Sequence, residues 1–244
     1  MSGILINIRD KTYTTAGRSH QAIANLEIRI KRNQFVCLVG PSGCGKTTLL
    51  HIVGGLDTHF QGEISINNQE QLPHIGYVFQ NPRLLPWLTV RRNLELVFKQ
   101  PPPAALLDEL LRAMQLEAVQ EAYPERLSLG MQRRVAIIRA FAINPDLLLM
   151  DEPFVSLDAP TARHIRSLLY SLWQQRPHTV LFVSHDLREA IALADRLIFL
   201  SPAPMRTLAD IPVTLARNER NDQAKIEAFR NFIISHYPDI NRFL

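Results

Sequence analysis

A single loop near residue 40 constrains this chain more than any other feature. Residues 40–48 read Gly-Pro-Ser-Gly-Cys-Gly-Lys-Thr-Thr, which matches the phosphate-binding pattern with its fixed glycines, lysine and threonine in place. An apolar run at 35–39 precedes the loop, and a helix-compatible run at 46–53 follows it. Because such a loop requires a buried strand before it and a helix after it, the order predicts an α/β fold that binds a nucleotide.

The residue types of the loop suit phosphate chemistry. Glycines let the backbone curl with its N–H groups pointing inward, and the following helix adds its positive N-terminal end. Lys46 is predicted to reach the β- and γ-phosphates, and the Thr47 hydroxyl to ligate Mg²⁺. The alternative is a glycine-rich turn before an ordinary helix. The predicted nucleotide contacts in the loop are Gly40, Pro41, Ser42, Gly43, Cys44, Gly45, Lys46, Thr47 and Thr48.

Composition and charge limit the partners and the cell compartment that the chain fits. The net charge of +4 fits a solvated mixed surface better than a nucleic-acid patch, and a mildly basic face also suits an anionic membrane surface. Cys37 and Cys44 fit neither a disulfide framework nor a zinc spacing, which favours a reducing cytoplasm. Residues 1–7 lack a secretory pattern, and no apolar run is long enough to span a bilayer. We therefore expect any role at a membrane to depend on a partner.

The order of predicted elements indicates a core with an inserted helical lobe. Helix-spaced apolar residues fill the middle of the chain, and strand–helix alternation after it argues for a parallel sheet. Strands are predicted at 4–8, 22–30, 35–39, 63–66, 75–79, 147–150, 179–183 and 197–200, and helices at 46–53, 131–142, 160–174, 187–194 and 223–235. The predicted division of this single 1–244 domain is 1–81 and 144–212 as core with a β subdomain, 82–143 as helical subdomain, and 213–244 as tail.

Two carboxylates follow the apolar strand at 147–150. In enzymes with this phosphate-binding loop, an acidic residue at such a strand end holds Mg²⁺, and Asp151 is the candidate. Glu152 comes next and is placed to orient or deprotonate an attacking water. A strand-end Asp-Glu pair can also be a plain surface turn, so the pair gains weight from the phosphate loop that accompanies it.

Five further segments resemble one family, the ATP-binding cassette (ABC) ATPases. Gln80 resembles that family's Q-loop, and residues 127–132, Leu-Ser-Leu-Gly-Met-Gln, resemble its signature motif. Residues 156–158, Ser-Leu-Asp, resemble the D-loop, and His185 resembles the switch histidine at a strand end. Tyr13 stands where the family keeps an aromatic residue that stacks on adenine. The resemblance implies an α/β fold: a P-loop NTPase core with a parallel sheet, an N-terminal antiparallel β subdomain and an inserted α-helical subdomain.

The resemblance also implies a mechanism. Two cassettes pair head to tail and enclose two ATP molecules, so that Ser128 and the Gly130 N–H of one subunit contact the γ-phosphate on the other. Gln80 would ligate Mg²⁺, His185 would position the attacking water, and Asp158 would lie across the dimer interface. With these groups present we expect an active ATPase.

One position departs from the family pattern. Leu129 stands where the family usually has glycine. Its backbone N–H still allows contact with phosphate, but leucine cannot adopt glycine-only backbone angles and adds bulk beside the nucleotide. For both reasons this substitution predicts slower or altered hydrolysis.

A second resemblance concerns the process that ATP hydrolysis would drive. Residues 84–90, Leu-Leu-Pro-Trp-Leu-Thr-Val, resemble importers of the nitrate, sulfonate and taurine group. This implies a peripheral subunit at the cytoplasmic face of the cell membrane, paired with a second cassette as a homodimer or a heterodimer. The other implied partners are a transmembrane permease and, through it, an extracytoplasmic solute-binding protein. Trp87 would suit a docking groove for the permease, or alternatively the core of the helical lobe.

Other classes remain as alternatives. DNA-repair and chromosome-organising ABC ATPases carry long coiled coils, for which the proline-interrupted segment 82–143 has no room. Translation-type ABC proteins hold two cassettes in one chain, and this chain holds one. An importer of a vitamin precursor or an amine-type nutrient is the third alternative, since related cassettes serve such solutes.

Overall fold

The computed structural model describes residues 3–15, 18–67 and 73–241, so the first two residues of the N-terminal segment lie outside the described part. The chain divides into two compact units, one formed by Met1–Leu72 with Thr179–Leu244 and the other by Pro73–His178. The strands are β1 (Gly3–Thr15), β2 (Arg18–Lys31), β3 (Phe35–Val39), β4 (Gln61–Ile66), β5 (Ile75–Val78), β6 (Leu147–Asp151), β7 (Thr179–Ser184), β8 (Arg196–Leu200) and β9 (Thr207–Pro212). The helices are α1 (Lys46–Val53), α2 (Val90–Glu95), α3 (Ala104–Ala113), α4 (Leu129–Ala142), α5 (Ala159–Gln175), α6 (Leu187–Leu193), α7 (Gln223–His236) and α8 (Pro238–Asn241).

The first unit contains a three-stranded antiparallel sheet with β1 at its centre, between β2 and β4. Isoleucines at positions 4, 6 and 8 are buried while their neighbours are more exposed, as expected for a strand with one face on the core. β1 and β2 run longer than predicted because they pair along almost their whole length, from Gly3 opposite Lys31 to Thr15 opposite Arg18. This sheet confirms the N-terminal antiparallel β subdomain.

The same unit holds the strand that precedes the phosphate loop. β3 lies between β7 and β8, and both pairings are parallel. Every residue of β3 and β7 is buried, as expected for strands covered on both faces. β9 pairs antiparallel with β8 and was not predicted, because its largely exposed residues give only a weak apolar pattern. The central strands therefore confirm the predicted parallel α/β core.

The tail of the first unit packs against α6. Arg188 of α6 forms an ion pair with Glu227 of α7, with the two side chains 2.7 Å apart. Arg220 is buried and donates to the carbonyl oxygens of Ala194, Val213 and Leu215. Because Ala194 is the C-cap of α6, a cation there also stabilises the negative end of that helix.

The second unit combines two parallel strands, β5 and β6, with α2, α3, α4 and α5. Short 3₁₀ turns at Glu117–Val119 and Pro124–Arg126 lead into α4. The unit includes more of the chain than the helical subdomain predicted at 82–143, because β5, β6 and α5 group with those helices. The functional division at those residues remains a prediction. Within the described ranges, no helix has both the length and the apolar character needed to cross a membrane.

Candidate nucleotide-binding site

The phosphate loop closes around its own lysine. Gly45 has a φ of 106°, a left-handed conformation that favours glycine and turns the chain into α1. Lys46 is buried as the first residue of that helix, and its Nζ donates to the carbonyl oxygens of Gly40 at 2.8 Å and Pro41 at 2.9 Å. These two carbonyls hold the ammonium inside the loop, where it can exchange them for phosphate oxygens.

Cys44 packs inside the loop. Its side chain is buried, and burial raises the pKa of the thiol, which disfavours the reactive thiolate. A Cβ placed on Gly40 would lie 3.2 Å from the Cys44 sulfur and 3.1 Å from the Leu200 carbonyl oxygen. A side chain at the first position of the loop would therefore be crowded, which favours glycine there although its φ alone would not require one.

His185 lies at the same sheet edge as the phosphate loop. Val39, the last residue of β3, pairs with Ser184, the last residue of β7, so Gly40 and His185 follow neighbouring strand ends. Ser184 is buried, and its hydroxyl accepts the Asp186 N–H at 3.0 Å and contacts Glu189 at 3.0 Å. These bonds define the turn that presents His185, whose side chain is exposed.

Tyr13 contacts the helix that follows the phosphate loop. Its hydroxyl lies 3.2 Å from Thr48 Oγ1 and 3.3 Å from Asp57 Oδ2, so it can donate to either oxygen. The side chain is 41 % exposed. The structure therefore brings Tyr13, the loop and His185 together within the first unit.

In the second unit, predicted site residues lie at the ends of two neighbouring parallel strands. Val78 pairs with Met150, so Gln80 lies just after β5, while Asp151 ends the neighbouring parallel strand β6 and Glu152 follows it. Asp151 is buried and Gln80 is exposed. Glu152 has a φ of 44°, an uncommon conformation for a residue with a side chain and one that recurs at functional sites.

Sequence reasoning missed Arg133, which is buried in α4. Its guanidinium donates to the carbonyl oxygens of Phe79 at 3.3 Å and Val155 at 3.4 Å. Phe79 precedes Gln80, and Val155 follows the two carboxylates, so one side chain braces both segments. A charged residue on a helix is usually solvent-exposed, and no local pattern distinguishes this arginine from its neighbour Arg134.

The signature segment begins a helix. The Ser128 hydroxyl caps α4 by accepting the Met131 N–H at 3.3 Å, which starts the helix two residues earlier than predicted. Leu129 is its first residue and 39 % exposed, and it has ordinary right-handed helical geometry. The position therefore needs no glycine-only angles, which removes the backbone argument for impaired hydrolysis.

The D-loop segment lies beside the signature helix. Asp158 caps α5 by accepting the Thr161 N–H at 3.0 Å, and hydrogen bonds from the Thr161 side chain and from its N–H lower the pKa of the carboxyl group. A Cβ on Gly130 would come within 2.9 Å of the Thr161 methyl group. Gly130 thus allows the two helices to approach closely, a role separate from the predicted phosphate contact.

Asn93 shapes the segment that carries Trp87. The Asn93 amide is fully buried and hydrogen-bonds the backbone of Leu85, Leu88 and Thr89. Trp87 is 68 % exposed, so the alternative that it belongs to the core of the helical lobe is wrong.

The donor groups predicted for a metal suit Mg²⁺. Thr47 supplies a hydroxyl, Gln80 an amide oxygen and Asp151 a carboxylate, and Mg²⁺ prefers such oxygen ligands together with water and phosphate. In the part of the chain that the structure describes, no group of three or more His, Cys, Asp or Glu residues could hold a metal. The predicted oxygen donors fit the ligand chemistry of Mg²⁺.

Comparisons with known proteins found a matching family profile and several similar proteins. The family profile described as ABC transporter matches residues 23–155. The aliphatic sulfonates import ATP-binding protein SsuB of Bacillus subtilis is 37 % identical over 96 % of this chain and 94 % of its own. An uncharacterized ABC transporter ATP-binding protein of Methanocaldococcus jannaschii, MJ0412, is 35 % identical over 94 % of this chain and 89 % of its own.

Two solved structures of the ATP-binding cassette MJ0796 are also similar. A dimer in a post-hydrolysis state bound to ADP and Pi has a TM-score of 0.76 and 31 % identity, covering 87 % of this chain and all of that one. Another dimeric structure has a TM-score of 0.75 and 33 % identity with the same coverage.

Proposed function

The chain belongs to the ABC transporter family, and from that premise we propose that it is the ATP-hydrolysing subunit of an importer for small sulfonate-type anions. The observation that carries the ATPase assignment is the phosphate loop, where Lys46 is held by the carbonyl oxygens of Gly40 and Pro41. The substrate class rests on similarity to SsuB of Bacillus subtilis along nearly the whole chain.

Nucleotide binding begins with the loop. The ammonium of Lys46 exchanges its carbonyl partners for the β- and γ-phosphate oxygens, while the backbone N–H groups and the positive end of α1 add further attraction. Tyr13 supplies an aromatic face for the adenine ring. The nucleotide is then held at its phosphates and at its base.

Hydrolysis depends on positioning a water in line with the γ-phosphate. Glu152 accepts a proton from that water or orients it, and His185 donates to the γ-phosphate. Thr47, Gln80 and Asp151 would hold Mg²⁺, which neutralises charge on the phosphate oxygens when bound. The buried arginine Arg133 braces the segments that carry Gln80 and Glu152.

We infer that the full site forms between two cassettes; the similar structures of MJ0796 are dimers, which supports a paired assembly. The capped start of α4 presents Ser128 and the Gly130 N–H to the γ-phosphate on the opposite subunit, and Asp158 lies at the interface. A homodimer is the simplest assembly, because one chain carries all of these motifs.

The membrane partner docks on the second unit in this proposal. Trp87 presents a large aromatic surface to solvent, and exposed aromatic side chains favour partner contacts. The partners are a transmembrane permease and, through it, an extracytoplasmic solute-binding protein. The subunit then works at the cytoplasmic face of the cell membrane.

ATP hydrolysis tests the catalytic part. The purified protein should release phosphate from Mg²⁺-ATP, and Glu152→Gln should lower the rate by about 10²- to 10⁴-fold, the usual contribution of a general base. Glu125→Gln, at an exposed position in a 3₁₀ turn, is the matched control and should leave the rate unchanged. Equal rates for Glu152→Gln and the wild type would refute the assigned role of Glu152.

Solute uptake tests the substrate class. In the native host, replacing the chromosomal copy with Glu152→Gln should abolish uptake of a radiolabelled alkanesulfonate, with growth on sulfate preserved. Unchanged sulfonate uptake together with lost uptake of nitrate or a vitamin precursor would overturn the substrate class and leave the ATPase intact. No uptake defect of any kind would overturn the transport assignment.

A further inference from the structure

Lys11 is a buried charge that the proposed mechanism leaves unused. Its side chain lies in β1 and the residue is 3 % exposed, which is rare for lysine unless the charge is paired. The alternation of buried and exposed residues along β1 changes after Ile8, where the register of β1 with β4 also changes. This irregularity places Lys11 on the buried side of the strand. A charge in such a place needs partners.

The partners of Lys11 come from the loop after α1. Its Nζ donates to Asp57 Oδ1 at 2.9 Å and lies 2.7 Å from Asp57 Oδ2. It also donates to the His59 carbonyl oxygen at 2.8 Å. Burial alone would raise the pKa of Asp57, but the hydrogen bond from Lys11 and that from the His59 N–H hold it below its usual value. Asp57 is therefore a carboxylate, and the ion pair is complete.

Both members of the pair touch Tyr13. The Lys11 ammonium lies 4.5 Å from the centre of the Tyr13 ring, over one face. Asp57 Oδ2 lies 3.3 Å from the Tyr13 hydroxyl, which is also 3.2 Å from Thr48 Oγ1. One ring face is occupied by the cation and the hydroxyl end is tied down, while 41 % of the residue stays exposed. The ring is thus fixed in position but still accessible.

We propose that Lys11 and Asp57 are positioning residues that hold Tyr13 as a preformed stacking surface for the nucleotide base. This inference rests on the proposed stacking of the base on Tyr13. An immobilised ring loses little rotamer freedom when the base arrives, so the pair strengthens base recognition and leaves phosphate binding unchanged. The pair and Thr48 also connect the base platform with α1, whose N-terminus carries the phosphate loop.

The test separates binding of the base from binding of the phosphates. Affinities for ATP and for inorganic tripolyphosphate are measured by titration calorimetry in the presence of Mg²⁺, and their ratio reports the contribution of the nucleoside. Tyr13→Ala should lower this ratio by about 5- to 100-fold, the usual range for base stacking on an aromatic ring. Lys11→Met should lower the ratio of ATP affinity to tripolyphosphate affinity by about 2- to 10-fold, because a free Tyr13 side chain must then be ordered on binding. The affinity for tripolyphosphate should stay unchanged.

Two further variants keep the test valid if the Lys11→Met substitution impairs folding. Asp57→Asn removes the negative charge that Lys11 pairs with but keeps the shape of the side chain, and Tyr13→Phe keeps the ring but removes the hydroxyl contact. Both should lower the ratio in the same range as Lys11→Met. Lys31→Met, at an exposed position of β2, is the matched control and should not change it.

The outcomes distinguish this inference from the proposed function. If Tyr13→Ala lowers the ratio while Lys11→Met and Asp57→Asn do not, or reduce both affinities equally, the pair is only structural and the inference falls. If Tyr13→Ala also leaves the ratio unchanged, stacking on Tyr13 is wrong and both proposals about the base fall, while phosphate binding through Lys46 stands.

Discussion

Asn93 is expected to be the most sensitive polar residue of the second unit. It is fully buried, and its Oδ1 accepts the Leu85 N–H at 2.8 Å. Its Nδ2 donates to the carbonyl oxygens of Leu85 at 3.1 Å, Leu88 at 3.0 Å and Thr89 at 3.0 Å. One amide therefore binds the backbone on both sides of Trp87.

The expected loss in the free energy of unfolding on replacing Asn93 follows from these bonds. Asn93→Ala leaves a buried N–H and several carbonyls without partners. The amide NH₂ group has two hydrogens for its three carbonyl partners, so it makes about two full donated bonds besides the one accepted bond. A net loss of about 1 kcal/mol for each of these three bonds gives about 3 kcal/mol. Asn93→Asp is the sharper variant because it keeps the acceptor but replaces the donor with an oxygen facing three carbonyls. It should destabilise at least as much at neutral pH, and less as the pH falls and the carboxyl group becomes protonated.

Urea denaturation followed by circular dichroism measures the change in the free energy of unfolding. In a Trp173→Phe background, Trp87 is the one remaining tryptophan, and its fluorescence anisotropy should fall when the turn loosens. Asn218→Ala, at an exposed position, is the control and should change stability by less than about 0.5 kcal/mol. A loss below about 1 kcal/mol for Asn93→Ala, with unchanged anisotropy, would refute the reasoning from hydrogen bonds.

Three further changes have defined outcomes. Leu129→Gly should lower stability by about 1 kcal/mol in thermal denaturation, because glycine is a poor helix former, and should leave the ATP turnover rate unchanged; a several-fold faster turnover would show that leucine hinders hydrolysis. Arg220→Met should cost about 2–4 kcal/mol in urea denaturation, because buried carbonyls lose a charged donor, and Arg220→Lys should recover part of it; equal stability of all three proteins would contradict this. Burial lowers the pKa of His178 to about 4, so the unfolded chain binds the extra proton first, and stability should fall as the pH drops from about 6.5 towards 4. His178→Phe should flatten this dependence in pH-dependent melting curves, and an unaltered slope would contradict the assignment.

The local parts of the site were predictable from the sequence because their geometry is set by neighbouring residues. The phosphate loop needs glycine where φ is 106° and a lysine at the start of the next helix, and both requirements are visible at Gly45 and Lys46. The capping residue Asp158 is likewise a short-range signal before its helix. Strand–helix alternation then predicted the parallel core, since the periodicity of buried residues records which faces are covered.

Tertiary structure alone decided the partners of buried polar groups. Lys11 meets Asp57 across 46 residues, and Arg133 reaches Phe79 across 54, because strand register and helix packing bring these segments together. A lysine in a strand or an arginine in a helix looks the same in sequence whether it faces solvent or the interior. The free energy that keeps such a charge buried comes from groups distant along the chain, so its role depends on the folded structure.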